Sequence, residues 1–479
     1  MAERWKRPRR FDRNLIVIGA GSAGLVAALV AAKLGAKVTL AEANAMGGDC
    51  LNTGCVPSKA LLHAARLVAE ARAAERIGLT GPVGPVDSAA AFRHVRAAIA
   101  TVAPHDSVER YRSLGVDVRL GHARITSPWS VEIAGATLTT RAIVVATGAE
   151  PVVPDIPGLA DSGFLTSETL WRLERAPAQL AILGGGPIGC ELAQAFARLG
   201  SAVTLVERGE RLLPREDFCV ADLVRGRLAA EGVTVLTSAH VTDVAGGALR
   251  MADDSRVPFD TLLVAVGRRA RTTGFGLEEL GIGCTEAGNI AVTAYLQTRR
   301  RNIYACGDVV GPYQFTHAAG QQGFLAAANA LFSGVPRLRQ DHRLIPAVTF
   351  TDPEVARIGL TEQEAKAHGV PFALTQHDLA GVDRAIVDDA RAGFVRVLTV
   401  PGRDRILGAT IVAPRAGDML AEIALAMRRA LGMKALFSTL RAYPTYSEAV
   451  GGAAGRWREA TAPAWVLPWL ARFHAWRRG

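Results

Sequence analysis

The chain has 479 residues, 49% of them hydrophobic and 21% charged, with a formal net charge of +10. That length exceeds what one hydrophobic core serves, and the balance excludes a largely disordered or fibrous protein. Six cysteines exclude a secreted disulfide framework and point to a reducing cytoplasm. Part of the positive charge sits at the ends, in Lys6, Arg7, Arg9 and Arg10 and again in Arg472, Arg477 and Arg478. No basic face interleaved with aromatics accompanies it, so nucleic acid is not an expected partner. Anionic dinucleotides or an anionic membrane surface account for the surplus equally well.

Behind the basic start, Leu15–Ala32 carries no charge and imitates a signal peptide or a short membrane span. The run contains Gly19, Gly21 and Gly24 in Gly-x-Gly-x-x-Gly spacing, and a buried strand feeding a packed helix is equally apolar. The spacing predicts a strand over 14–19, a tight turn at Gly19, backbone approaching a pyrophosphate at Gly21 and helix–strand contact at Gly24. A second strand over 37–41 ends at Glu42, placed to accept hydrogen bonds from a ribose diol.

The same arrangement returns as LAILGGGPIGCELAQAFARLGSAVTLVE, with glycines Gly184, Gly186 and Gly189 and acid Glu207 at the same offset. Two copies predict two dinucleotide sites and an electron relay from a nicotinamide to a flavin. Glu207 favours NADH, because it accepts ribose hydroxyls and repels a 2′-phosphate; Arg208 and Arg211 keep NADPH open. FAD is assigned to the first site. The strand AIVVATG ends in a small-residue turn at Gly148, and NIYACGD delivers Asp308, whose carboxylate suits the ribityl hydroxyls.

Between Glu42 and the next helix lies GGDCLNTGCVPSKALLHAARLVAE, with Cys50 and Cys55 four residues apart and a helix starting near the second. Thiolates at the first turn of a helix are stabilised by its dipole and unpaired amides, so a disulfide here would be exchangeable. Zinc would need two more ligands, and no second cysteine pair or matched histidine pair supplies them, so no metal is expected. Cys190, Cys219, Cys284 and Cys306 stand alone in apolar or turn contexts and read as inert core residues.

On these motifs, and GGDCLNTGCVPSK above all, the chain from about Phe11 to about Ala454 resembles the pyridine-nucleotide-disulfide oxidoreductases. That family includes dihydrolipoamide dehydrogenase, glutathione reductase and mercuric reductase. The resemblance implies an α/β fold of two Rossmann-like dinucleotide-binding domains, for FAD and NAD(P), plus an α+β C-terminal dimerisation domain. The implied spans are FAD domain 11–150 and 275–341, NAD(P) domain 151–274, dimerisation domain 342–456 and a Trp/Arg-rich tail 457–479. It further implies a homodimer with active sites shared across the interface.

By the same resemblance, Cys50 is the thiol that meets substrate and Cys55 the thiol that faces the flavin. Lys59, one turn past Cys55, balances flavin charge, and Glu191 pairs with it. Arg268, in VAVGRR, lies near the nicotinamide-side turn, and Pro187 stands where some relatives carry an aromatic gate. The main departure is Tyr443-Pro444-Thr445-Tyr446-Ser447-Glu448, where disulfide reductases and lipoamide dehydrogenases have histidine in place of Tyr443. Glu448 is kept. Tyrosine is a poor base at neutral pH, although its hydroxyl can donate to a thiolate or face a bound ion. Mercuric reductases resemble this chain in that tyrosine, but they carry a C-terminal cysteine pair, and here Cys306 is the last cysteine.

The sequence thus predicts an FAD enzyme that delivers electrons through Cys50 and Cys55 to a disulfide, a soft metal ion or a quinone. The alternative is a flavin-bound protein without turnover, serving as a binding or membrane-associated module. Beyond the resemblance, Trp457, Trp465, Trp469 and Trp476 accompany Arg456, Arg458, Arg472, Arg477 and Arg478. Trp465, Trp469, Phe473 and Trp476 recur at helical spacing, which fits peripheral membrane contact. Against it, Pro468 is expected to interrupt the helix, and an aromatic stripe also packs on its own protein.

Overall fold

The computed structural model describes residues 5–78, 84, 86–332 and 338–479. The chain forms two compact units, one from residues up to Leu212 together with Leu228–Asp341, the other from Leu213–Arg227 together with His342–Gly479. Leu213–Arg227 therefore groups with the C-terminal unit although it lies inside the 151–274 span.

In the first unit, β1 (Arg13–Ile18) leads through α1 (Ser22–Lys33) to β2 (Val38–Glu42), and β3 (Asp117–Leu120) lies beyond β2. On the other side of β1 come Ala136–Val145 and then Ile303–Ala305, all parallel. Every residue of β2 and the last four of β1 are buried, as expected of strands covered on both faces. The apolar run that imitates a membrane segment is thus core, with Leu15, Ile16 and Val17 fully enclosed. No helix among the described residues is long and apolar enough to cross a membrane.

The motif repeats in a second parallel sheet. Gln179–Leu183 passes through the helix Pro187–Arg198 to Ala202–Val206, flanked by Thr234–Leu236, Thr261–Val264 and Leu165–Thr166. A short antiparallel ribbon of Ala149–Pro151 and Arg268–Ala270 begins directly after Gly148 and positions Arg268.

The second unit is a five-stranded antiparallel sheet in the order Ala347–Thr349, Glu354–Gly359, Ile406–Ala413, Phe394–Thr399, Ala373–Asp378. Helices Ala416–Arg428 and Glu448–Thr461 cover it through Leu420, Ile423, Val450 and Trp457.

Several expectations need correction. Trp457 is a core residue of this unit and no part of an exposed tail. Pro468 does not interrupt the last helix, Val466–Arg478. It is the third residue, in a first turn whose N–H groups have no partner to lose. No residue of that helix is buried; Trp465, Trp469 and Trp476 are 67%, 55% and 77% exposed, and Trp469 stacks on Phe473. Cys190 and Cys306 are buried as expected, but Cys219 and Cys284 are exposed. Cys219 lies one residue inside a helix start, where its sulfur meets Arg396 Nη1 at 2.8 Å.

Candidate active site

Gly19 and Gly184, the first glycine of each fingerprint, have φ of +101° and +107°, left-handed turns that favour glycine. A Cβ on Gly24 would lie 1.8 Å from the Gly19 carbonyl oxygen, and one on Gly189 would lie 1.9 Å from that of Gly184. The third glycines therefore let helix meet strand. The second glycines face open space. A Cβ on Gly21 would come no nearer than 3.9 Å to a non-neighbouring atom, and one on Gly186 would meet nothing within 4 Å. Both spaces lie at a helix N-terminus, where free amides and the helix dipole suit a pyrophosphate. Pro187 opens the second helix.

The acids at the ends of the second strands are held alike. Glu42 Oε2 accepts from Ala20 N at 2.6 Å and its Oε1 from Asn44 N at 2.7 Å. Glu207 accepts from Gly185 N and Gly209 N, both at 2.7 Å. Each carboxylate is fixed in orientation and keeps lone pairs for a ribose diol. Gly148 follows its strand with φ +70°. Asp308 follows Ile303–Ala305, and burial pushes its carboxyl up to about 6, with Arg268 opposing. No described residue hydrogen-bonds that carboxylate, and a polyhydroxyl chain would satisfy it. These residues fit two dinucleotides.

Cys50 lies in the short helix α2 (Gly48–Asn52), and Cys55 is the first residue of α3 (Cys55–Ala73). Both are free thiols. A hydrogen bond from the Cys50 thiol draws Cys55 down to about 6, helped by Thr316 Oγ1 at 3.2 Å and by the charge of Lys59, against burial and Glu191. The same bond, with burial, pushes Cys50 up. The Lys59 charge and the Thr316 hydroxyl thus favour negative charge on Cys55. Lys59 Nζ meets Glu191 Oε2 at 2.8 Å, so the turn after Cys55 is tied to the helix of the second fingerprint. Burial pushes the Cys190 thiol up and the Cys306 thiol to about 12, so neither is a nucleophile at neutral pH.

In the C-terminal unit, Tyr443 is 70% exposed and its hydroxyl donates to Asp383 Oδ2 at 2.8 Å. That bond pushes the phenol above its ordinary value. Glu448 opens the helix Glu448–Thr461 and accepts from Thr445 N at 3.1 Å.

Sequence reasoning missed four residues. Asp49 pairs with Arg268; Thr316 bonds Cys55; Asp383 holds Tyr443; and Trp171 Nε1 donates to Thr53 O at 2.8 Å, inside the cysteine loop. Only Asp49 left a signal, an acid directly before a reactive cysteine. The others are distant in sequence and carry no motif.

Two dinucleotide cradles with a thiol pair at a helix start define a flavin-linked oxidoreductase fed by a pyridine nucleotide. Residues 13–323 match the pyridine nucleotide-disulphide oxidoreductase family, and residues 345–454 match its dimerisation domain. The chain belongs to that family, and it is an oxidoreductase that uses FAD and NAD(P)H. The dimerisation-domain match supports a homodimer. The chain is 32% identical over 444 residues to a mercuric reductase from Staphylococcus aureus, covering 91% of this chain and 81% of that one. It is 33% identical to a dihydrolipoyl dehydrogenase from Chlamydia muridarum, covering 91% and 94%. The Cu(II) complex of the HOCl-induced flavoprotein disulfide reductase RclA from Escherichia coli superposes with a TM-score of 0.82 at 28% identity, covering 92% and 99%.

Proposed function

We propose that Cys50 and Cys55 form the redox pair through which this enzyme passes electrons from NADH, by way of FAD, to a soft metal ion. When bound, FAD would supply the two-electron relay between the nicotinamide and the thiol pair. The chain's own residues do the rest. Gly19, Gly21, Gly24, Glu42, Gly148 and Asp308 hold the flavin nucleotide. Gly184, Gly186, Gly189 and Glu207 hold the nicotinamide nucleotide. Lys59, oriented by Glu191, places positive charge beside Cys55, while Cys50 meets the acceptor. In the homodimer, Tyr443 and Glu448 of each subunit serve the cysteine pair of the other.

The observation that carries the choice of acceptor is the Tyr443–Asp383 hydrogen bond. A phenol that donates to a carboxylate is no proton shuttle at neutral pH, and reducing a metal ion consumes no proton. The mercuric reductase and the Cu(II) complex among the relatives point the same way. A disulfide is the second reading, supported by the dihydrolipoyl dehydrogenase likeness and by Glu448. Screening NADH oxidation by the FAD-loaded enzyme against mercuric and cupric ions, lipoamide, glutathione disulfide and quinones tests the choice. Turnover with a disulfide or quinone alone overturns it. No turnover, and no long-wavelength band on two-electron reduction, would leave the non-catalytic flavin module.

The exposed helix Val466–Arg478 supports peripheral contact with an anionic bilayer. Its N-cap residue Trp465 and its Trp469, Phe473 and Trp476 share a face flanked by Arg472 and Arg477. Tryptophan suits the headgroup region and arginine the lipid phosphates. Such contact would bring the enzyme to a lipid-borne or membrane-delivered acceptor.

A further inference from the structure

Asp49 directly precedes Cys50 within α2, and its carboxylate accepts from Arg268 Nη2. Arg268 is the better buried partner, with its side chain 15% exposed against 36% for Asp49. It is braced by further bonds, donating to Ala149 O at 2.9 Å and to Ser167 Oγ at 3.3 Å. The pair thus joins the cysteine loop to the ribbon after Gly148 and to the second parallel sheet. Trp171 grips the same loop three residues beyond Cys50, at Thr53 O.

The charged groups around Cys55 form a mixed set. Lys59 and Glu191 come from α3 and the second fingerprint helix, and Asp308 from the Gly-Asp corner. Arg268 and Asp49 act on the Asp308 carboxyl with opposite signs, and the charge of Cys55 acts on that same carboxyl. Arg268 also faces Glu168 Oε1 at 3.7 Å, so removing Asp49 takes away one of two acids opposite the guanidinium, whereas removing Arg268 takes away the cation that Asp49 pairs with.

We propose that Asp49 is a positioning residue for the cysteine pair, and that the Asp49–Arg268 ion pair sets how readily Cys55 carries negative charge. Asp49 opposes the thiolate and Arg268 favours it, so the intact pair holds Cys55 between the two extremes. This rests on reading Cys50 and Cys55 as the redox pair.

The test uses FAD-loaded enzyme reduced by two electrons under anaerobic conditions, with long-wavelength thiolate–flavin absorbance followed against pH. The alkylation rate of the reduced thiols by iodoacetamide is measured in parallel as a readout independent of turnover. Asp49→Asn is expected to lower the midpoint by roughly one pH unit and Arg268→Gln to raise it by a similar amount, as one charge does at short range in a partly screened site. The double variant returns near the parent midpoint, and Asp49→Glu stays there. Single variants that shift the midpoint in the same direction, or leave it unmoved, overturn the proposal. Asp49→Asn is nearly isosteric, so it decides even where Arg268→Gln fails to fold. A parent enzyme with no such band overturns instead the underlying reading of the cysteine pair.

Discussion

Lys59 Nζ stands 2.8 Å from Glu191 Oε2, a contact between the helix that begins at Cys55 and the helix that begins at the second glycine fingerprint. It joins two segments 132 residues apart. The Glu191 side chain is 7% exposed and that of Lys59 37%. Lys59→Met leaves a buried carboxylate without its cation, which costs about 2 kcal/mol after allowing for the part-exposed lysine. Thermal unfolding of the holoenzyme should therefore show a lower Tm. Stopped-flow reduction by NADH should be slower by roughly tenfold, since the charge beside Cys55 is lost.

Cys55 is held down to about 6, so the thiolate is present above that pH and is lost as pH falls through it. The long-wavelength band of two-electron-reduced enzyme should fade with a midpoint near pH 6. Cys55→Ser should remove the band at every pH. Cys50→Ala removes the hydrogen bond that Cys55 receives and should move the midpoint upward.

Both oxygens of Glu207 are oriented by backbone amides, so the carboxylate cannot swing away from a ribose. The parent enzyme should prefer NADH, and Glu207→Ala should narrow the kcat/KM ratio by tenfold or more. A parent kcat/KM favouring NADPH tenfold would contradict the assignment.

Tyr443→His introduces a base that titrates near neutrality at a site now holding a hydrogen-bonded phenol. Lipoamide or disulfide reductase activity at pH 7 should rise at least tenfold, and on the order of 10²-fold if proton transfer limits turnover. Metal-ion reduction should not gain. Steady-state rates with both acceptors separate the two outcomes.

A truncation after Ala462 removes the helix Val466–Arg478 and spares Trp457, which the core of the C-terminal unit needs. The shortened chain should keep its NADH-dependent activity in solution and lose co-sedimentation with anionic liposomes. Equal binding by both chains would rule the helix out as the contact.

The residues that chemistry needs at fixed local spacing were legible in the sequence. Gly19, Gly21 and Gly24, their repeats at 184, 186 and 189, the acids Glu42 and Glu207, and Cys50 with Cys55 lie at strand ends and helix starts, where backbone geometry dictates residue type. What tertiary structure alone decided are relations across long stretches of chain. Thr316 reaches Cys55 over 261 residues, Arg268 reaches Asp49 over 219, and Asp383 holds Tyr443 over 60. A single polar side chain leaves no periodicity to read, because its partner is chosen by the packing of whole sheets and helices. The tail shows the same division. Its composition named an aromatic face and its arginines, but only the packing separated buried Trp457 from exposed Trp465, Trp469 and Trp476. Helical spacing specifies which side chains share a face, whereas burial depends on what the rest of the chain places against it.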